Sequence, residues 1–220
     1  MIALDLISDA IPPVKTSDTI QKVLDRMAEF RLNHLPIVND LQFLGLISED
    51  DMIEEMDYET PIGALSLSLL NPYVLESQHI YDVIRVFFEQ KVSVVPVLDH
   101  KMDYLGIISI NSMTEHLASI TSVSNPGGII VLEIGNRDNS LAHISQIVES
   151  ENAQILSSYT NQMADSTKME ITLKVNKVDI SQIVSSFLRY DYVILATYNF
   201  SDKNDSASDR FDSLMNYLSI

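Results

Sequence analysis

The chain has 220 residues, 31 of them acidic and 14 basic, for a formal net charge of −17. Apolar content of 46% against 20% charged describes an ordinary folded chain, long enough to bury a proper core in one to three domains. The lack of cysteine excludes disulfides, thiolate zinc, iron–sulfur clusters and a cysteine nucleophile, and the negative charge argues against nucleic acid and anionic membranes as partners.

The start, Met1-Ile2-Ala3-Leu4-Asp5, lacks the basic segment of a signal peptide. No apolar run approaches the roughly 20 residues that span a bilayer. A cytoplasmic protein is the expectation.

The first half contains an internal repeat. One copy runs Asp18-Thr19-Ile20, Val23-Leu24, His34-Leu35-Pro36-Ile37-Val38 and Leu44-Gly45-Leu46-Ile47-Ser48. The other runs Gln78-His79-Ile80, Val83-Ile84, Val94-Val95-Pro96-Val97-Leu98 and Leu105-Gly106-Ile107-Ile108-Ser109. Pro12 and Pro72, Ile20 and Ile80, and Pro36 and Pro96 are each 60 residues apart; Gly45 and Gly106 are 61 apart, which places a one-residue insertion between the strands.

In chain order, each copy predicts a strand near its first proline and then a helix, with Ile20, Val23, Leu24 and Met27, or Ile80, Val83, Ile84, Phe87 and Phe88, at helical spacing. Thr19 stands at the N-cap. A short strand ending near Pro36 or Pro96 follows, then a turn at Asn39-Asp40 or Asp99-His100. The next strand covers Phe43 to Ile47 or Tyr104 to Ile108. A second helix starts at Ser48 or Ser109, with Met52, Ile53 and Met56, or Met113, Leu117 and Ile120, on its apolar face. A single unit cannot cover its own sheet, whereas two side by side bury it and leave clefts between them.

Residues 122–126 read as a linker closed by Gly127-Gly128. Residues 1–121 carry 19 acids and 7 bases, residues 122–220 carry 12 and 7, so the excess of acid falls past this point. Beyond it, a strand is predicted at Ile129 to Ile134 and a helix through Leu141, Ile144, Ile147 and Val148. Strands at Ala153 to Thr160 and Met169 to Val175 follow, then a helix through Ile180, Ile183, Val184, Phe187 and Leu188, and a strand from Tyr192 to Thr197. The order β-α-β-β-α-β is ferredoxin-like. Residues 201–208 are polar, and Phe211, Leu214, Met215 and Leu218 return at helical spacing as a short amphipathic helix that docks on this chain or a neighbour.

The pattern of helix, apolar-Pro-apolar-apolar, then Gly-apolar-apolar-Ser, occurring twice and followed three residues on by an acid (Asp51) in the first copy, resembles the CBS motif, and the tandem resembles a CBS pair. The loop Gly135-Asn136-Arg137-Asp138-Asn139-Ser140-Leu141 resembles the first loop of an ACT domain. It departs at Asn136, Asp138 and Asn139, where Asp, Pro and Gly are usual, which weakens the case for an amino-acid ligand and favours subunit contact. The expected fold is α/β (α+β), a CBS pair of two β-α-β-β-α units followed by an ACT-like domain. The boundaries are 1–60 and 61–121 for the motifs, 122–126 for the linker, 127–200 for the ACT-like domain and 201–220 for the tail. The layout is similar to acetoin-utilisation-type CBS proteins.

No nucleophile–base pair, Gly-rich phosphate loop or His-x-x-x-His spacing is present among the five histidines and six glycines, so a non-catalytic binding module without a resident cofactor or metal is expected. The resemblance implies an adenosyl ligand between the motifs. A ribose offers two vicinal hydroxyl donors to one carboxylate. Asp51, six residues after Gly45, stands where the family's ribose-binding acid sits. Ser48, at a helix start, suits a phosphate, and Val92, Ser93 and Val94 would read the base. The second cleft is weaker: Ser112 replaces its carboxylate, with Ser109, Asn33, His34 and Thr16 around it. Glu49, Asp50, Asp51, Glu54, Glu55, Asp57 and Glu59 put seven acids within eleven residues. This favours AMP or a neutral adenosyl compound over polyphosphates. Two alternatives stay open: a structural module with empty clefts, and a Mg²⁺-responsive acidic module. The resemblance further implies a homodimer, which the Met- and Ile-bearing helical faces fit; the output of a binding module is expected to pass through an unidentified protein effector or a change in assembly.

Overall fold

The computed structural model describes residues 1–8, 11–53, 55, 57–65, 71–135, 140–163 and 167–199. Contacts divide the chain into two units, Met1–His116 and Leu117–Ile220, each with its own apolar core.

In the first unit, the first repeat contributes α1 (Ile20–Phe30), β1 (His34–Asn39) and β2 (Gln42–Ser48). The second contributes β3 (Val74–Leu75), α2 (Ile80–Gln90), β4 (Val94–Leu98), β5 (Tyr104–Ser109) and α3 (Ile110–Ile120). In each copy the two longer strands form an antiparallel pair, and the residue 60 positions before its counterpart adds a parallel contact: Val14 beside Ile37, Val74 beside Val97. The helical spacing is explained by burial. Ile20, Val23 and Met27, and Ile80, Val83 and Phe87, face the core. Thr19 caps α1 by accepting from the Lys22 N–H at 3.3 Å.

The strands do not end at the prolines; β1 and β4 run through Pro36 and Pro96. The Pro36 carbonyl accepts from the Val14 N–H at 2.9 Å, on the side away from β2. The ring nitrogen points the same way, so the missing N–H costs no bond to β2. Both pairs also carry a bulge at the matching place, between Ile37 and Val38 and between Val97 and Leu98.

The repeats exchange arms. Residues 58–63 close the start of α1: the Ile20 and Gln21 N–H groups donate to the Thr60 and Tyr58 carbonyls, and Ile62 N–H to the Asp18 carbonyl. Residues 1–4 do the same for α2, where Ile80 N–H donates to the Met1 carbonyl and Ala3 N–H to the Gln78 carbonyl. A Cβ on Gly106 would sit 2.5 Å from Cγ2 of Ile7, so this arm packs on β5 where a side chain would obstruct it.

Where a second helix of the first repeat is expected, the described residues form a 3₁₀ turn at Asp50–Met52 directly after Ser48; Glu54 and Met56 of that stretch lie outside the described residues. Its sequence places like charges four apart, Asp50 with Glu54 and Asp51 with Glu55, which opposes a helix. The segment must also turn back to deliver Tyr58 and Thr60 to α1. Met52 is buried while Ile53 is exposed. In α3, Met113 alone of the three anticipated positions is buried; Leu117 and Ile120 are exposed. Phe88 is 69% exposed and carries the Lys91 ammonium over its ring.

In the second unit, β6 (Ile129–Gly135), α4 (Leu141–Ser150), β7 (Ile155–Gln162), β8 (Lys168–Val175), α5 (Ser181–Arg189) and β9 (Val193–Tyr198) follow the anticipated order. The antiparallel sheet order β7-β8-β6-β9 is ferredoxin-like and therefore ACT-like in topology. Ile130, Leu132, Ile134, Ile171 and Leu173 alternate onto one face and bury against Ile144, Ile147, Val148, Ile183 and Phe187. Leu141 and Leu188, at helical spacing with this set, are exposed instead. The anticipated linker starts as a helix cap. Ser122 takes φ 55°, and Val123 N–H reaches the Ala118 carbonyl at 3.0 Å while Ser122 N–H reaches that of Ser119, a Schellman closure of α3.

Candidate functional site

The two repeats meet at equivalent positions, Asn33 and Ser93, 60 residues apart. Both precede the first strand of their β pair. The Ser93 hydroxyl oxygen accepts from the Asn33 N–H at 3.1 Å and the His34 N–H at 3.0 Å. In return, the Ser93 N–H donates to His34 Nδ1 at 3.2 Å. The carbonyls of Asn33 and Ser93 are taken by the Glu49 and Ile110 N–H groups, each at 3.0 Å, which ties the junction to the residue after each second strand.

Asp51 lies close by. Its Oδ2 accepts from both the backbone N–H and the hydroxyl of Ser48, each at 2.7 Å, and the Asp51 N–H returns to Ser48 Oγ at 3.3 Å. The carboxylate is exposed. These bonds use two of its roughly four acceptor positions, so the group is fixed in direction and still able to accept from a ligand. Ser48 is less available than the sequence suggests, since its hydroxyl proton is committed to Asp51.

His34 links the two features. Accepting at Nδ1 places the ring proton on Nε2 and favours the neutral imidazole. Burial holds its pKa below the ordinary histidine value, against the opposing pull of Asp51 and Asp50. The native state therefore holds fewer protons than the unfolded chain just below pH 6.5, and stability rises with pH there. We expect stability to be full above about pH 6.5 and to fall as the pH drops through the ordinary histidine value toward the lowered one. Urea unfolding at pH 5.5 and 7.5 checks this, and His34→Asn should flatten the difference.

The structure thus brings Ser93, Asn33 and His34 together and sets Asp51 beside them, although Asn33 and His34 were expected at the other cleft. Val92 and Val94 are buried on either side of Ser93. Of the remaining residues expected at the weaker cleft, Ser109 and Ser112 bond each other, Ser112 N–H to Ser109 Oγ at 3.1 Å and Ser112 Oγ to the Ser109 carbonyl at 3.2 Å. Thr16 is held inside the first repeat, where its N–H and hydroxyl bond Asn39. Sequence reasoning missed the Ser93–His34 link; the 60-residue offset between Asn33 and Ser93 was the signal for it. Asn136, Arg137, Asp138 and Asn139 of the ACT-like loop, and the helix expected in the tail, lie outside the described residues. Among the described residues, no three His, Asp or Glu side chains gather as a metal site, and no helix is long and apolar enough to cross a membrane.

Residues 3–58 and 70–119 each match the family model of the CBS domain, and this half of the chain is a CBS domain pair. Among solved structures, the chain is similar to a CBS domain pair/ACT domain protein from Thermotoga maritima at 24% identity, covering 53% of this chain and 96% of that one with a TM-score of 0.48. It is also similar to CBSX2 in complex with AMP, at 20% identity over 54% of this chain and 97% of that one, TM-score 0.47. A third is the CBS domain of a bacterial CNNM/CorC family Mg²⁺ transporter in complex with ATP, at 14% identity over 54% and 87%, TM-score 0.43.

Proposed function

We propose that this protein is a regulatory, non-catalytic module whose CBS pair senses an adenosyl ligand, AMP above all, at the junction of its repeats. The observation that carries this reading is the exposed Asp51 carboxylate, fixed by Ser48 and adjoining the Ser93–His34 link between the two halves. A carboxylate with spare acceptor positions suits a ribose diol. Glu49 and Asp50, exposed and next to it in the chain, favour few phosphate charges. A ligand that contacts both repeats favours one arrangement of them, which is the linkage a sensor requires.

The output passes through a protein effector or a change of assembly. The Met-bearing helical faces are used in the core, with Met27, Met52 and Met113 all buried. What α2 leaves open is Tyr81 and Phe88, one helical face apart from the core, and this stripe supports a homodimer. The reading is tested by thermal shift and calorimetry with AMP, ADP, ATP and S-adenosylmethionine, each with and without Mg²⁺. AMP or the sulfonium compound should raise the melting temperature in a concentration-dependent way. An unmoved melting temperature with all four at millimolar concentration would reject it in favour of empty clefts.

A further inference from the structure

AMP at the junction carries its phosphate close to Glu49, Asp50 and Asp51, and a phosphate among carboxylates needs a cation to offset the repulsion. Residues 1–121 carry seven bases, and five of them are held by other groups. Lys22 pairs with Asp18, and Arg85 with Asp82. Arg26 donates to the Pro13 carbonyl at 2.8 Å. Lys101 sits in the turn between β4 and β5, where its charge acts on Asp99. Lys91 ends α2 on the junction side, but its ammonium lies over the Phe88 ring, 4.4 Å from the centre. Lys15 precedes Thr16, which bonds Asn39. Asn39 is at the far end of β1 from His34, a strand length of about 16 Å.

Arg31 stands where Lys91 does, 60 residues earlier. It ends α1 in the left-handed conformation, φ 54° and ψ 50°, with its N–H turned back to the Met27 and Ala28 carbonyls. Leu32, Asn33 and His34 follow at once, so this cap is on the junction side of the first repeat. The residue is exposed, and among the described residues no hydrogen bond or ion pair holds its guanidinium. It lines a groove of ≈ 430 Å³ with Leu24, Ala28, Asn33 and Glu49. Asn33 is the residue whose N–H reaches Ser93 and whose carbonyl accepts from Glu49, so the groove opens on the junction, with Asp51 two residues beyond Glu49. Asp25 also lines the groove, and its Oδ1 accepts from Gln21 Nε2 at 2.7 Å. A planar guanidinium suits two phosphate oxygens at once. Resting on the adenosyl reading above, we infer that Arg31 is the phosphate-recognising residue of this site: with the ribose on Asp51, the phosphate extends along the groove to the Arg31 guanidinium.

Calorimetry on the full chain with adenosine and AMP isolates the phosphate from the rest of the ligand. Wild type should bind AMP about tenfold more tightly than adenosine, the scale of a charge-assisted hydrogen bond. Arg31→Gln should erase that preference by weakening AMP to the level of adenosine. Adenosine itself should bind the variant as it binds wild type, which also shows that the variant is folded. Arg31→Lys keeps the charge without the fork and should retain part of the preference. Lys15→Gln and Lys91→Gln should leave it intact. A preference that survives Arg31→Gln, one lost equally in Lys91→Gln, or an Arg31→Gln chain that loses adenosine as much as AMP would overturn the inference. Equal affinity of wild type for the two ligands would overturn it and leave the adenosyl reading standing, whereas no binding of either would remove both.

Discussion

Asp51→Ala is expected to weaken AMP binding by roughly ten- to a hundredfold, the cost of removing hydrogen bonds to a charged acceptor. The side chain's other duty is local. It accepts two bonds from Ser48 at the start of a single 3₁₀ turn, so its loss should cost stability on the scale of a helix cap, about 1 kcal/mol. The two effects are separable. Calorimetry reads affinity, while urea unfolding without nucleotide reads the cap. Ser48→Ala provides the complementary case: it removes one of the two bonds that orient the carboxylate but leaves the carboxylate in place. It should therefore cost less affinity than Asp51→Ala. Equal AMP affinity in wild type and Asp51→Ala would remove the carboxylate from the site.

The largest effect on folding should come from Gly127→Ala. Gly127 adopts φ +155°, and a Cβ there would lie 1.9 Å from the Val175 carbonyl oxygen. That oxygen belongs to the end of β8, and Gly127 directly precedes the Gly128–Lys177 and Val175–Gly128 backbone bonds that start β6 beside it. Neither backbone is a flexible chain end that could move aside. The substituted chain must either shift the start of β6 or lose those bonds. We expect a destabilisation of about 3–5 kcal/mol in denaturant unfolding, the scale of steric insertion combined with an unfavourable backbone angle. A variant within 1 kcal/mol of wild type would show that β6 can start elsewhere.

Much of the fold was legible because burial has a period. Val23 and Val83, Pro36 and Pro96, and Ile47 and Ile108 occupy matching places in both copies, and alternation in Met169 to Val175 marked β8. What was not legible depended on contacts far apart in sequence. Nothing in residues 1–4 declares that they close α2, since a short apolar start resembles any other. The acid-rich stretch after Ser48 has helical spacing at Met52, Ile53 and Met56, but that spacing does not announce the 3₁₀ turn at Asp50–Met52 or the return of Tyr58 to α1. At the candidate site, the family pattern pointed to Asp51 and Ser93 individually. That Ser93 would grip His34, and that Ser48 would spend its proton on Asp51, required the geometry.

The exchange of arms has a consequence for how the two repeats could be separated. Residues 58–63 serve the copy that precedes them, whereas residues 1–4 serve the copy that comes last, so the duplication is related as on a ring rather than along a line. A fragment beginning after residue 65 would retain β3 through α3 but leave the first turn of α2 uncovered. It would have to borrow the missing piece from another molecule, whereas a peptide carrying only the opening residues would be enough to complete it.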